Sequence, residues 1–279
     1  FEFVNQKLRD AHNIVDVQQY MLGQSKKDES DAISYAYQMQ KSVIGQFDAM
    51  RRQLIAKSFL FHKPMKMVSG DTLWIANTSD VIWIAVADCT GHSVQASFAT
   101  IITTIILNNI INNQHVADPA LALTRFQDEY MYIFSNFDLQ RAEYDGIDIS
   151  LCCIDAQSRK MQFAGAMQSV VVVGDGVSQT YMGNKYSIDT HKSTSHKMFD
   201  NNEIALSDDC TVYLFSNGYT SQFNSQGSSK FGIDAFRNLL LKISSLPITE
   251  QAYGLEHALY DWCGNSEQTD DILVLGFKI

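Results

Sequence analysis

The feature that most constrains the fold is the order in which strand-like and helix-like segments follow one another after residue 57. Three runs rich in β-branched and aromatic residues come first, then two helix-like segments, then more strand-like runs, two further helices and a final strand. The predicted strands cover residues 57–62, 72–77, 81–87, 147–154, 160–164, 170–173, 177–181, 211–215 and 272–279, and the predicted helices cover residues 94–112, 119–136, 233–246 and 248–263. Since strands and helices do not alternate, we predict an α+β layered sandwich rather than a parallel βαβ sheet.

The first 58 residues have a different pattern, because their apolar residues recur at heptad spacing. One seam covers residues 4–22 and a second covers 33–54, with the polar segment 23–30 between them. We expect two long helices here, forming a helical linker or coiled coil over 1–58 ahead of a domain that spans 59–279. The first helix is expected to join two copies of the chain in a homodimer, and helices that pack only on their own domain are the alternative.

The charge balance narrows the classes of partner. The sequence has 21 Lys and Arg against 31 Asp and Glu, a net charge of −10. Nucleic-acid backbones and anionic membranes both reward clustered positive charge, so we expect neither nucleic acid nor direct membrane contact.

The cysteines and the start of the chain bear on its compartment. The five cysteines have no C-x-x-C spacing, and we interpret them as reduced, buried residues of a cytoplasmic protein. The chain begins with Phe1 rather than Met, so we expect a piece of a longer protein, such as the cytoplasmic part of a sensor.

Several carboxylates stand at the ends of predicted strands. Asp71 opens one strand, Asp88 ends another, and Asp270 and Asp271 begin the last, while Asn217 follows the strand 211–215. Aspartate beside glycine at a strand end is commonly a turn former. Several oxygen ligands delivered to one edge would also suit Mg²⁺ or Mn²⁺, and the sequence leaves both interpretations open.

Seven motifs carry a resemblance to a known family. They are SYAYQMQKSVI (34–44), VSGDTLW (68–74), VADCTGHSVQASF (86–98), DGIDISLCCID (145–155), FAGA (163–166), LFSNGYTSQF (214–223) and QTDDILVLG (268–276). In this order they resemble the stage II sporulation protein E branch of the metal-dependent (PPM) serine/threonine phosphatases. The resemblance implies a four-layer α-β-β-α sandwich of two antiparallel sheets, a two-metal site for Mg²⁺ or Mn²⁺, and a helical linker to an upstream sensory module.

The resemblance also implies roles for particular residues. Asp88 matches the carboxylate that bridges both metals, and Cys89 matches a position that offers its backbone carbonyl to one of them. Asp270 matches a terminal metal ligand with Asp271 beside it, and Asp71 matches a peripheral metal or water contact. His92 matches a general acid toward the leaving serine oxygen, a role that suits a group with a pKa near 6.5.

Departures from the family pattern leave two functions open. Asn217 replaces an aspartate ligand, which removes one negative charge from the site, and Ser93 replaces a glycine beside His92. One hypothesis is a weakened phosphatase acting on a phosphorylated regulatory protein, such as an anti-sigma-factor antagonist. The other is an inactive pseudophosphatase that serves as an interaction module. Asp145 and Asp148 are interpreted as turn and strand-register positions rather than ligands.

Overall fold

The computed structural model describes the backbone of residues 2–89, 94–134, 146–189 and 197–279, and the side chains in these ranges except 2–26, 29, 94 and 134. The strands are β1 (Ser58–Lys63), β2 (Asp71–Thr78), β3 (Val81–Cys89), β4 (Ile147–Asp155), β5 (Lys160–Ala166), β6 (Ser169–Gly174), β7 (Val177–Met182), β8 (Asn202–Ala205), β9 (Thr211–Phe215) and β10 (Ile272–Phe277). The helices are α1 (Glu2–Leu54), α2 (Val94–Leu107, continued by a π-helical turn over Asn108–Asn113), α3 (Pro119–Phe134), α4 (Gly218–Ser221), α5 (Ile233–Ile243) and α6 (Ile248–Cys263).

The strands form two antiparallel sheets of five strands each. The first sheet has the order β2-β3-β4-β5-β8, and the second has the order β1-β10-β9-β6-β7. Helices α1, α2 and α3 pack on the first sheet, and α5 and α6 pack on the second. The predicted four-layer α-β-β-α sandwich is therefore confirmed.

Strand β10 has an apolar sequence because both of its faces are buried. Leu273, Leu275 and Phe277 belong to the hydrophobic cluster that includes residues of both sheets, whereas Ile272 and Val274 belong to the cluster beneath α5 and α6. Successive side chains on a strand point to opposite faces. Both faces of β10 are thus covered, and the strand carries the residues just before it, 270 and 271, to the end of the sandwich.

The prediction of two N-terminal helices is wrong, because α1 runs without a break through the polar segment 23–30. Most of that segment is Gln, Lys, Asp, Glu and Ser, and one glycine inside a helix costs only about 1 kcal/mol. Polarity by itself does not end a helix. In the second half of α1, Ala36, Gln40, Phe47 and Arg51 are buried.

Smaller differences concern an edge strand and one cysteine. Strand β8 was not predicted, since only Ile204 of its four residues is buried and its apolar pattern is correspondingly weak. Cys263 is half-buried, while the other four cysteines are buried, and all five are unpaired thiols.

No helix in the described ranges has the length and apolar character needed to cross a bilayer.

Candidate active site

Three aspartates form a row across neighbouring strands of the first sheet. Asp71 at the start of β2 is the register partner of Asp88 near the end of β3, and Asp88 is also the register partner of Asp148 in β4. Directly opposed side chains on antiparallel strands share one face of the sheet, with Cβ atoms about 5 Å apart. We call Asp71, Asp88 and Asp148 the carboxylate row.

Burial and mutual repulsion make this row hard to ionise. Asp71 is 1% exposed, and burial followed by the charge of Asp88 holds its pKa well above the usual value. Burial, then the charges of Asp270 and Asp148, raise the pKa of Asp88 to about 7. Burial raises the pKa of Asp148 as well, against a hydrogen bond of 2.5 Å that Ser187 Oγ donates to its Oδ1. A cation placed among these groups would favour their ionised forms.

The second sheet faces the row with the residues that follow β9 and precede β10. Ser216 Oγ donates a hydrogen bond of 2.5 Å to Asp71 Oδ2 and accepts one of 3.0 Å from the backbone N–H of Leu273. Asp270 exerts the largest charge effect on the pKa of Asp88, and burial raises the pKa of Asp270 itself. The carboxylate row, Asp270 and Asp271 therefore bring five interacting carboxylates to one end of the sandwich.

Asp271 has a different environment from Asp270. Its two carboxylate oxygens accept hydrogen bonds of 2.6 Å from the backbone N–H groups of Met65 and Gly70. These bonds tie the segment that leads into Asp71 to the start of β10. Asp271 thus fixes the backbone around the site, although the sequence had grouped it with the metal ligands.

Two glycines allow the backbone to close up around the carboxylates. A Cβ atom on Gly70 would lie 2.4 Å from the carbonyl oxygen of Cys89, and one on Gly218 would lie 1.8 Å from the carbonyl oxygen of Asp271. The thiol of Cys89 is buried, 3.6 Å from Thr103 Oγ1 on α2. The thiol of Cys89 therefore faces α2 rather than the carboxylates, which leaves its backbone as the part that could contact a metal.

Helix α1 reaches the site through Gln40. The buried side-chain amide of Gln40 donates to the carbonyl oxygen of Ser69 at 2.5 Å and accepts from the backbone N–H of Ser69 at 2.9 Å. It also donates to Thr100 Oγ1 on α2 at 3.3 Å. One side chain thus joins the helical linker, the turn before Asp71, and the helix after β3.

The remaining predicted site residues are exposed or outside the described ranges. Asn217 is the N-cap of α4, where its backbone carbonyl accepts from Ser221 N at 3.0 Å and its exposed side chain makes no capping hydrogen bond. It offers a neutral amide where the family pattern has a carboxylate. His92 and Ser93 lie outside the described residues.

The donor set has the chemistry of a hard divalent cation site. Asp71 Oδ1 is buried and has no hydrogen-bond partner among the residues that the structure describes, a costly arrangement for a carboxylate oxygen unless a cation or water approaches it. Carboxylate, amide and carbonyl oxygens suit Mg²⁺ or Mn²⁺. In the part of the chain that the structure describes, no three His, Cys, Asp or Glu side chains are already arranged to hold one ion. The residue types nevertheless fit such a metal.

Sequence reasoning missed the contributions of Asp148, Ser216 and Gln40. Asp148 was assigned to strand register, and that register is what sets it opposite Asp88. Ser216 and Gln40 lie within two of the motifs that carry the resemblance, which was the available signal. Their contacts join residues 145 and 29 positions apart, so only the fold could show them.

Comparisons with known proteins agree with this architecture. The family model of stage II sporulation protein E (SpoIIE) matches residues 78–279. The SiaA-PP2C domain of Pseudomonas aeruginosa is 26% identical, with a TM-score of 0.78, over 91% of this chain and 98% of that one. No curated protein matches the sequence.

Two more distant structures share the fold. The PP2C phosphatase domain with a fragment of the regulatory domain of SpoIIE from Bacillus subtilis is 15% identical, with a TM-score of 0.63, over 80% of this chain and 63% of that one. RsbX in complex with magnesium is 12% identical, with a TM-score of 0.55, over 80% of this chain and 94% of that one.

Proposed function

Because the chain belongs to the stage II sporulation protein E (SpoIIE) family of PPM-type phosphatase domains, we propose that it is a Mg²⁺- or Mn²⁺-dependent phosphatase for phosphoserine or phosphothreonine in a protein. The observation that carries this proposal is the meeting of the carboxylate row with Asp270, four acids from two sheets whose pKa values burial raises. Holding four such groups together has a cost in stability, which a divalent cation would offset.

The residues of the site are proposed to have different roles in metal binding and catalysis. Asp88 and Asp270, with the carbonyl of Cys89 and the amide of Asn217, are the proposed metal ligands, and Asp71 and Asp271 support them from the periphery. Metal ions bound there would polarise the phosphoryl group and supply a hydroxide at neutral pH. His92 is the proposed general acid for the leaving oxygen. RsbX, a distant neighbour in fold, has been crystallised with magnesium.

A second candidate function is favoured by Asn217. Two divalent cations repel each other, and ligand carboxylates offset that repulsion. Replacing one carboxylate by an amide would weaken metal binding by a few kcal/mol, or about two decades in Kd. The chain would then act as a pseudophosphatase that binds partners and turns over little or no phosphoprotein.

One experiment separates the two functions. Calorimetric titration with Mn²⁺ and hydrolysis of a phosphoserine peptide are measured for the native protein, Asn217→Asp and Asp88→Asn. Asn112→Asp, an exposed change near Asn77 at the other end of β2, is the control for added charge. We expect weak Mn²⁺ binding by the native protein, a gain of about 100-fold with Asn217→Asp, and loss with Asp88→Asn.

The outcomes have distinct meanings. Native turnover near 10 s⁻¹, roughly the median for enzymes, with no effect of Asn217→Asp, would exclude the pseudophosphatase. If the native protein and Asn217→Asp both bind Mn²⁺ but neither hydrolyses the peptide, the pseudophosphatase is favoured. If neither of these two proteins binds Mn²⁺, the proposed metal site itself is contradicted.

The proposed partners follow from the same family. A phosphorylated regulatory protein, such as an anti-sigma-factor antagonist, is the proposed substrate of the active form and the docking partner of the inactive form. The heptad seam of residues 4–22 is proposed to join two copies in a homodimer. Light scattering of the chain over a wide concentration range tests this dimer, and a constant monomer mass would contradict it.

A further inference from the structure

A short hairpin follows α4 and lies beside the carboxylates. It covers residues 222–232, and we call it the Lys230 hairpin. Phe223 and Lys230 form an antiparallel bridge, and the backbone N–H of Phe231 donates to the carbonyl oxygen of Gln222 at 2.9 Å. Gly232 N–H donates to the carbonyl of Thr220 at 2.9 Å, which closes the hairpin onto α4.

Gln222 fixes this hairpin to the residues that lead into Asp270. Its fully buried side chain accepts a hydrogen bond of 3.0 Å from the backbone N–H of Thr269 and donates one of 3.0 Å to the carbonyl of Glu267. Thr269 is the residue immediately before Asp270. The hairpin and Asp270 are therefore parts of one hydrogen-bonded unit.

Aromatic packing holds the other strand of the hairpin. The ring of Phe231, next to Lys230, packs edge-on against Tyr219 at 5.1 Å between centroids and against Trp262 at 5.2 Å. Trp262 Nε1 also donates to the carbonyl of Gln222 at 3.0 Å. The backbone of Lys230 is thus held by its pairing with Phe223 and by the packing of the neighbouring Phe231, and its side chain extends from this held backbone.

Lys230 brings a positive charge to the acidic end of the sandwich. Its ammonium lies 5.7 Å from the centroid of the Phe223 ring, and the residue is exposed. Burial raises the pKa of Asp270, and the charge of Lys230 acts in the opposite direction. Lys230 takes no part in the ion pairs that join the described residues, and its exposed side chain can be reached by a ligand from solvent.

We propose that Lys230 is a phosphate-binding residue of this site, whose ammonium receives a phosphoryl oxygen of the substrate at the Asp270 side of the carboxylate row. The proposal rests on the proposed function and names the residue that recognises the phosphomonoester. A phosphate dianion approaching several carboxylates is repelled unless fixed cations oppose that repulsion. An ammonium on a flexible stem is a common phosphate partner.

This role has two consequences of opposite sign. The positive charge of Lys230 attracts phosphate, and the same charge repels a divalent cation held by Asp270. Removing it should therefore weaken phosphate binding and tighten Mn²⁺ binding. A residue with only a structural role would not shift the two affinities in opposite directions.

The test uses the full chain and Lys230→Gln, with Lys230→Arg as the conservative variant. Lys242→Gln, an exposed lysine on α5, controls for the loss of one surface charge. Calorimetry measures Mn²⁺ affinity, and ³¹P NMR then measures the affinity of the Mn²⁺-loaded protein for inorganic phosphate. If native metal binding is too weak, all variants are made in the Asn217→Asp background.

We expect Lys230→Gln to weaken phosphate binding about tenfold and to tighten Mn²⁺ binding severalfold, with both affinities preserved in Lys230→Arg. In hydrolysis of a phosphoserine peptide, the same variant should raise KM more than it lowers kcat. Metal and phosphate binding that Lys230→Gln leaves unchanged would overturn the role of Lys230 and leave the proposed function standing. Failure of Mn²⁺ binding in both backgrounds would overturn the proposed function and this phosphate site together.

Discussion

Asp88 lies directly opposite Asp148 in the antiparallel pair of β3 and β4. The charge of Asp148 is, after burial and the charge of Asp270, the next contribution to the raised pKa of Asp88. Two carboxylates at facing positions of a ladder destabilise it when both are ionised. The pair therefore lowers the stability of the metal-free fold, and removing one charge should stabilise the metal-free protein.

The first prediction concerns Asp148→Asn. The asparagine oxygen can still accept the hydrogen bond from Ser187, while the charge next to Asp88 is lost. We expect the metal-free variant to be more stable than the native protein by about 1 kcal/mol at pH 8, with little difference at pH 4. Urea unfolding at both pH values measures this, with exposed Asp209→Asn as control. Equal stability at pH 8 would contradict repulsion between the two carboxylates.

The second prediction concerns the pH dependence of stability. The pKa of Asp88 is about 7 in the folded protein against 3.8 for an ordinary aspartate, so the folded state binds more protons between these limits. The contribution of Asp88 to the free energy of unfolding is greatest below about pH 4 and is lost as the pH rises through 7. The whole change is on the order of a few kcal/mol. Thermal unfolding of metal-free protein should show this decline, and Asp88→Asn should flatten it. Mn²⁺ should restore stability at pH 8, whereas a native profile that rises from pH 4 to pH 8 would contradict the assignment.

The sequence identified part of this site because some of its signals are local. Asp71 and Asp88 stand at the ends of continuous apolar runs that are readable without a structure. Asp148 follows Ile147 and precedes Ile149, the ordinary pattern of a strand with one polar face. Its proximity to Asp88 depends on the order of strands in the sheet, which sequence periodicity does not encode.

The helical linker was also predicted only in part from its sequence. Heptad spacing predicted helix correctly, yet the polar residues 23–30 suggested a break that a continuous α1 does not have. Gln40 occupied an apolar seam as one polar position, and its partner Ser69 lies in the segment just before β2. A buried glutamine in such a seam could be explained only after its partner was known.

The third prediction concerns Gln40. Truncation to alanine leaves the backbone N–H and carbonyl of Ser69 without their partners in a buried position. We expect Gln40→Ala to lower the free energy of unfolding by about 2–3 kcal/mol and to weaken Mn²⁺ binding, because the turn before Asp71 loses its support. Exposed Gln46→Ala on the same helix is the matched control. Urea unfolding and Mn²⁺ titration measure the two effects, and unchanged Mn²⁺ affinity would limit Gln40 to stability alone.

The fourth prediction compares two glycines in helical segments. Alanine is favoured over glycine inside a helix by about 1 kcal/mol. A Cβ added to Gly45 in α1 would have no atom of the described residues within 4 Å, so Gly45→Ala should stabilise the protein by about that amount. At Gly218 the same Cβ would lie 1.8 Å from the carbonyl oxygen of Asp271, and backbone cannot yield as a flexible side chain can.

Gly218→Ala must therefore displace either α4 or the strand entry that carries Asp270. We expect it to destabilise the fold by about 2 kcal/mol or more, a cost typical of overpacking, and to weaken Mn²⁺ binding relative to Gly45→Ala. Urea unfolding and calorimetric Mn²⁺ titration of the two variants measure these effects side by side. If both variants gained stability and bound Mn²⁺ like the native protein, the close approach of Gly218 to Asp271 would have no part in holding the site together.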